Sequence, residues 1–224
     1  MTETIQLAAL IFDLDGVIAD TSDLHYQSWL QVTAEYGLFF DRSLNERLRS
    51  LSRRASLEVI LAENGRDLPE TACVDLMARK NHVYLQLMDG VDSGALLPGV
   101  VSLIDEAKAA CLRLAVGSAS RNAEAVLRHT GIRERFDLVL DGNSGLPSKP
   151  APDLFLAIAR QLDAAPGQCL VIEDAEVGIL AALAAGMWTA GVGPAEQMKS
   201  AHVCFDGLEG VSLADMLATL AEPV

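Results

Sequence analysis

Basic residues are in short supply: 17 lysines and arginines stand against 31 aspartates and glutamates, a formal charge of −14 over 224 residues. A surface of that sign repels phosphate polymers and argues against nucleic acid as a partner. Small phosphorylated molecules stay open, because a site can be locally positive inside an acidic body. Cysteine is sparse as well. Cys73, Cys111, Cys169 and Cys204 form no close pair, and Cys169 and Cys204 sit in apolar, strand-like text. They read as reduced thiols serving as small apolar side chains, which points to the cytoplasm. No apolar run reaches the ~18 residues that suggest a membrane span. The opening "MTETIQ" has no basic stretch leading into an apolar one, so no secretory signal is expected. There is no internal repeat, no low-complexity tract, no glycine-rich nucleotide loop and no dinucleotide fingerprint. No Ser–His–Asp or Cys–His arrangement stands out.

What remains is ample for a packed core, since half the residues are apolar. Five short, nearly continuous apolar runs read as strands buried on both faces: "LAALIFD" (7–13), "LRLAVGS" (112–118), "FDLVLD" (136–141), "CLVIED" (169–174) and "MWTAGV" (187–192). Helical patterns at 120–130, 152–163 and 175–185 lie between the last four, the third ending at Gly186. The alternation predicts a Rossmann-like parallel α/β sheet with helices on both faces. After the first strand the pattern changes. "DLHYQSWLQVTAEYG", "SLEVILAENG" and "PETACVDLMARKNHVYLQLM" all read as helices, and nothing before about Val91 reads as a strand. A stretch of that length is too long for a loop and predicts an inserted all-helical cap. The expected organisation is a core of 1–20 and 92–224 with a cap of 21–91, and "VDSGALLPGV" (91–100) as the returning linker.

Ligands of open parallel sheets bind beyond the carboxyl ends of the strands. The residues there are Asp13 and Asp15, Ser118 and Ser120, Asp141, then Glu173 and Asp174, with Lys149 just after the third end. Taken singly, each has a bland reading. An Asp-x-Asp can cap a turn, Glu173–Asp174 can cap a helix, and a lysine is usually solvated. Together they place carboxylates, a hydroxyl and one point positive charge in one spot. Carboxylates this close require a cation, and an all-oxygen set (Asp13, Asp15, Glu173, Asp174) suits Mg²⁺. Ser118 and Lys149 suit phosphate oxygens. One aspartate attacking phosphorus while the other moves protons describes phosphoryl transfer through an aspartyl-phosphate.

At these positions the chain resembles the haloacid dehalogenase superfamily of phosphotransferases. "DLDGV" resembles the first motif, Ser118 in "VGSAS" the second, Lys149 in "SKPAPD" the third and "IEDAEVGILAALAAGM" the fourth. The resemblance implies Asp13 as nucleophile and Asp15 as acid and base. It also implies a cis bond between Lys149 and Pro150. Within the superfamily, "DTSDLHYQSW" (20–29), "NERLRSLSRRASLEVIL" (45–61), "ARKN" (78–81) and "SASRN" (118–122) resemble the β-phosphoglucomutases. That likeness implies that His25 positions Asp15, that Arg53 holds a phosphate distal to Asp13, and that Arg49, Ser56 and Lys80 contact the sugar or that loop. It further implies that Ser118, Ala119, Ser120, Arg121 and Asn122 receive phosphate from the core side and that Trp29 lines the pocket.

The residues themselves leave alternatives. Arg47, Arg49, Arg53 and Arg54 form either a solvated face or a clamp with one arginine turned inward. His25 and Trp29 can be plain packing, and His82, His129 and His202 are read as structural. The chain departs from the mutase pattern at Ser50, where that pattern has glycine, and at Arg49 and Arg121, where it has lysine. The expected function is β-phosphoglucomutase chemistry on small phosphorylated sugars, by a monomer. A phosphatase of the same superfamily and a mutase for another sugar stand as alternatives. A non-enzymatic binding protein would be expected to lose Asp13, Asp15 or Lys149, and all three are present.

Overall fold

The computed structural model describes residues 5–221. The expected core limits, 1–20 and 92–224, run into residues 1–4 and 222–224, which lie outside the described residues. Among the described residues no helix is long and apolar enough to cross a membrane.

Six parallel strands form one sheet: β1 (Ala9–Phe12), β2 (Arg113–Gly117), β3 (Leu138–Leu140), β4 (Cys169–Glu173), β5 (Trp188–Val192) and β6 (Val203–Phe205), in the order β3-β2-β1-β4-β5-β6. The central strand β1 pairs Phe12 with Val116 on one side and Ile172 on the other. The chain order therefore reverses at β1, and the carboxyl ends of β1, β2 and β4 meet there, where the topology opens a crevice. Strand periodicity sorts the side chains. Leu10, Phe12, Leu114, Val116, Leu170 and Ile172 pack on one face under helices α5 (Val100–Ala109), α6 (Ala123–His129) and α9 (Leu213–Leu220). Ala9, Ile11, Ala115, Cys169 and Val171 pack on the other under α7 (Asp153–Gln161) and α8 (Glu176–Ala184). Gly186, with φ 75°, stands just past α8, where a left-handed residue closes a helix.

Between β1 and α5 lie only helices, as expected: α1 (Ser22–Glu35), α2 (Arg42–Glu46), α3 (Arg53–Glu63) and α4 (Glu70–Met88), with a 3₁₀ turn at Ser93–Ala95. They form a cap with its own apolar cluster, which includes Trp29, Val32, Leu44, Leu57, Ile60, Leu76 and Val83. Asp41 and Ser52 start α2 and α3 by accepting from Leu44 N and Ala55 N. The linkers pair with each other: Asp20 N donates to Ala95 O and Leu97 N to Ile18 O. The stretch 91–100 thus runs beside the outgoing linker rather than as free chain. Four of the named elements have no counterpart among those expected from sequence: α2, α5, β6 and α9.

Candidate active site

Asp13 follows β1, its N–H still paired with Ile172 O. The side chain is buried, and Lys149 Nζ reaches it at 2.6 Å while also donating to Gly117 O at 3.1 Å and to Glu173. The Lys149–Pro150 bond is cis. Glu173 accepts at Oε2 from the backbone N–H groups of Asp174 (3.0 Å) and Ala175 (3.2 Å). Asp13, Glu173 and Asp174 each offer an oxygen, and these lie within 4.8 Å of one another. Burial, opposed by Lys149 and reinforced by Glu173, Asp174 and Asp15, pushes the Asp13 carboxyl well above its ordinary range. Burial and Glu173 push Asp174 up to about 7. Lys149 moves the other way from what burial favours, because Asp13 and Glu173 hold its proton.

Three buried carboxylates against one buried lysine leave excess negative charge, and Asp174 Oδ1 is buried with no partner. That orphaned oxygen and the all-oxygen donor set fit a hard divalent cation. The surroundings are built close. A Cβ on Gly16 would meet Asp174 Oδ2 at 2.1 Å, and one on Gly178 would meet Glu173 Oε1 at 1.8 Å. Gly16 also has φ 83°, which favours glycine independently. Asp15, expected among the metal carboxylates, is not in this group. The turn at Gly16 aims it elsewhere: Thr21 Oγ1 donates to its Oδ1, and His25 Nε2 stands 3.5 Å away.

Behind His25 comes Lys80, its Nζ 3.0 Å from His25 Nδ1. When Lys80 is charged, Nδ1 must accept, and the ring proton faces Asp15 from Nε2. Burial and Lys80, set against Asp15, lower His25. Burial would raise Asp15, but His25, Thr21 and Lys80 outweigh it and hold the carboxyl below its usual value. Burial, with Arg53 nearby, lowers Lys80 to about 7. The two aspartates of one short motif thus sit in opposite electrostatic states.

A cavity of about 500 Å³ opens above them between core and cap. Asp13, Asp15, Ala119, Ser120, Arg121 and Asp174 line it from the core, and His25, Trp29, Arg49, Ser50, Arg53, Ser56 and Lys80 from the cap. Of the expected site residues, Ser118, Asn122, Lys149 and Glu173 do not line it. Ser118 Oγ accepts from Ser120 N at 3.0 Å, and Asn122 is buried beneath. Trp29 is almost fully buried and belongs to the cap core as well as to the wall.

The cap arginines separate by partner. Arg47 pairs with Glu63, Arg54 with Glu58 and Glu70, and Arg49 with Glu46 and, across the cleft, with Asp174 at 3.1 Å. Arg53 pairs with no carboxylate among the described residues; its Nη2 donates to Asn81 Oδ1 at 2.7 Å. Burial and Arg121 lower its pKa to about 10. Ser50 has φ 55° and sets its hydroxyl 3.2 and 3.3 Å from the Glu173 oxygens. Thr21 and Asn81 were not assigned roles from sequence. Both lie in stretches quoted for their resemblance, but a single hydroxyl just ahead of a helix, or a single amide within one, carries no local signal of its own.

A family model described as haloacid dehalogenase-like hydrolase matches residues 7–186. A β-phosphoglucomutase of Bacillus subtilis (strain 168) is 40% identical over 199 residues, 88% of this chain and 88% of that protein. The fructose-1-phosphate phosphatase YqaB of Escherichia coli (strain K12) is 37% identical over 180 residues, 80% of this chain and 93% of that protein. Among solved structures, a β-phosphoglucomutase from Clostridium difficile superimposes with a TM-score of 0.91 at 35% identity, covering 96% of this chain and 97% of that one.

Proposed function

Because the chain belongs to the haloacid dehalogenase-like hydrolase family, with sugar-phosphate mutases and phosphatases among its relatives, we propose that it is a β-phosphoglucomutase. In this reading Asp13 carries a phosphoryl group and passes it to the 6-hydroxyl of β-glucose 1-phosphate, giving the 1,6-bisphosphate. The bisphosphate turns end for end in the cavity. Asp13 then takes the phosphoryl group from carbon 1, and glucose 6-phosphate leaves.

The assigned roles follow from the surroundings of each residue. Asp15, ionised and oriented by Thr21, takes the proton of the attacking hydroxyl and returns one to the departing sugar oxygen. Lys149 holds the Asp13 carboxylate in place. Ser120, Arg121 and the cap residues His25, Ser56 and Lys80 orient the sugar and its phosphates, with Arg49 at the cleft edge and Ser118 holding the Ser120 backbone N–H beneath. Asp13, Glu173 and Asp174 would hold Mg²⁺, which when bound would offset the charge of the carboxylates and of the transferring phosphate. The cap shuts water away from the aspartyl-phosphate.

One observation carries the mutase assignment within this family. Arg53 faces the cavity with no carboxylate partner among the described residues, beside Arg121. A phosphatase needs one phosphate site, whereas a mutase needs a second, cationic one opposite the nucleophile. Arg53→Ala should therefore lower β-glucose 1-phosphate isomerisation about 10- to 100-fold more than it lowers hydrolysis of acetyl phosphate, the usual scale of a charged hydrogen-bond pair. Equal losses in the two assays would remove the distal phosphate site from the account.

A further inference from the structure

A neutral residue holds Arg53, the cap arginine with no carboxylate partner among the described residues. Asn81, on α4, accepts at Oδ1 from Arg53 Nη2 at 2.7 Å and from Asn122 Nδ2 at 3.0 Å. Arg53 can only donate, so the Asn81 atom facing it is oxygen. The Asn122 atom facing that oxygen must then be nitrogen. The network has one consistent orientation, and it uses both lone pairs of the Asn81 carbonyl. It also crosses the cleft: Arg53 and Asn81 belong to the cap, and Asn122 stands at the start of α6 in the core.

The neighbouring arginines show what is unusual here. Arg47, Arg49 and Arg54 are each fixed by carboxylates, which cancel their charge as well as restrain them. An amide restrains without cancelling. A long guanidinium side chain carries about 2 kcal/mol of rotamer entropy, and a residue that removes this freedom in advance strengthens anion binding without touching the anion.

We propose that Asn81 is the positioning residue of the second phosphate site. It holds Arg53 charged and oriented toward a sugar-borne phosphate, and it joins that guanidinium to Asn122 across the shut cleft. This rests on the two-phosphate reading above. The test is calorimetric titration of the Mg²⁺-loaded full chain with glucose 6-phosphate, for wild type, Asn81→Ala, Asn81→Asp, Arg53→Ala and the Asn81→Ala/Arg53→Ala pair, with a melting temperature for each.

Asn81→Ala should weaken binding about tenfold, the scale of one hydrogen bond to a charged group. Asn81→Asp keeps both acceptor contacts but neutralises Arg53, so it should melt like wild type and bind at least tenfold more weakly. In the Arg53→Ala background, Asn81→Ala should change affinity less than twofold. Wild-type affinity in Asn81→Asp, or a second full tenfold loss in the double variant, would overturn the proposal while leaving the phosphate site intact. If Arg53→Ala itself leaves glucose 6-phosphate binding unchanged, the two-phosphate reading fails and the role of Asn81 fails with it.

Discussion

Asp13 and Asp15 are separated by a single residue, yet one is surrounded by acids and a lysine and the other by a threonine, a histidine and a second lysine. The difference comes from the turn at Gly16, which sends Asp13 down toward Glu173 and Asp174 and Asp15 across toward the cap. Lys80 shows the consequence for stability. Its proton is held with a pKa of about 7 in the fold against roughly 10.4 in the unfolded chain. Between those two values the unfolded chain binds a proton that the folded chain does not, so this residue makes stability rise with pH from about 7 to about 10. Below about 7 both states hold the proton and the slope from this group vanishes. The denaturation free energy of wild type minus that of Lys80→Met should therefore climb across that window, by at most about 1.4 kcal/mol per pH unit. Parallel curves for the two proteins would show that Lys80 is not held as a depressed base. The residues at strand ends, Asp13, Ser118, Glu173 and Asp174, were readable because each terminates an apolar run. Thr21 and Asn81 were not, since a lone polar residue in a helical stretch looks solvent-facing until the fold brings its partner near.

At the scale of elements, the loop from Arg47 to Ser52 between α2 and α3 bears on the carboxylate cluster of Glu173 and Asp174 from the cap side. Arg49 reaches Asp174, and Ser50 reaches Glu173 from a left-handed backbone. A serine with φ 55° costs roughly 1–2 kcal/mol that glycine does not. Ser50→Ala keeps that strain and loses the hydroxyl, whereas Ser50→Gly loses the hydroxyl and the strain together. With a chelator present, the glycine variant should be about 1 kcal/mol more stable than the alanine variant by urea denaturation. Equal midpoints would mean that the backbone there is not held left-handed. The strand–helix alternation after residue 112 was plain in the sequence because both sheet faces are covered, which makes each strand a continuous apolar run. β6 is only three residues long and offered little more than Cys204 in apolar text. Val100, Leu103, Ile104 and Ala107 share one helix face, but the expected linker ends at Val100 and the stretch from there to the second strand carried no assigned element.

Across the whole molecule, an acidic body of charge −14 surrounds a cleft lined by Lys80, Arg53 and Arg121, with Lys149 buried behind Asp13. The field outside discourages polyanions, while the local positive charge inside suits the small phosphorylated substrate of the proposed reaction. The cap has its own apolar cluster, and at the site it meets the core through polar bridges: Arg49 to Asp174, Ser50 to Glu173 and Asn81 to Asn122. Polar bridges of this kind exchange readily with water, which suits the cap movement that the proposed transfer requires. The cap was readable as helical from residue periodicity, and its likeness to one branch of the family came from particular stretches. The order of the bridges across the cleft was not readable, because each joins residues more than 40 positions apart. The most direct measurement is product analysis in one tube, with purified protein, Mg²⁺, β-glucose 1-phosphate and a trace of the 1,6-bisphosphate, and with α-glucose 1-phosphate as the control. A β-phosphoglucomutase will give glucose 6-phosphate from the β anomer alone, with little inorganic phosphate. Phosphate release with little isomerisation would contradict that assignment and make this chain a hydrolase.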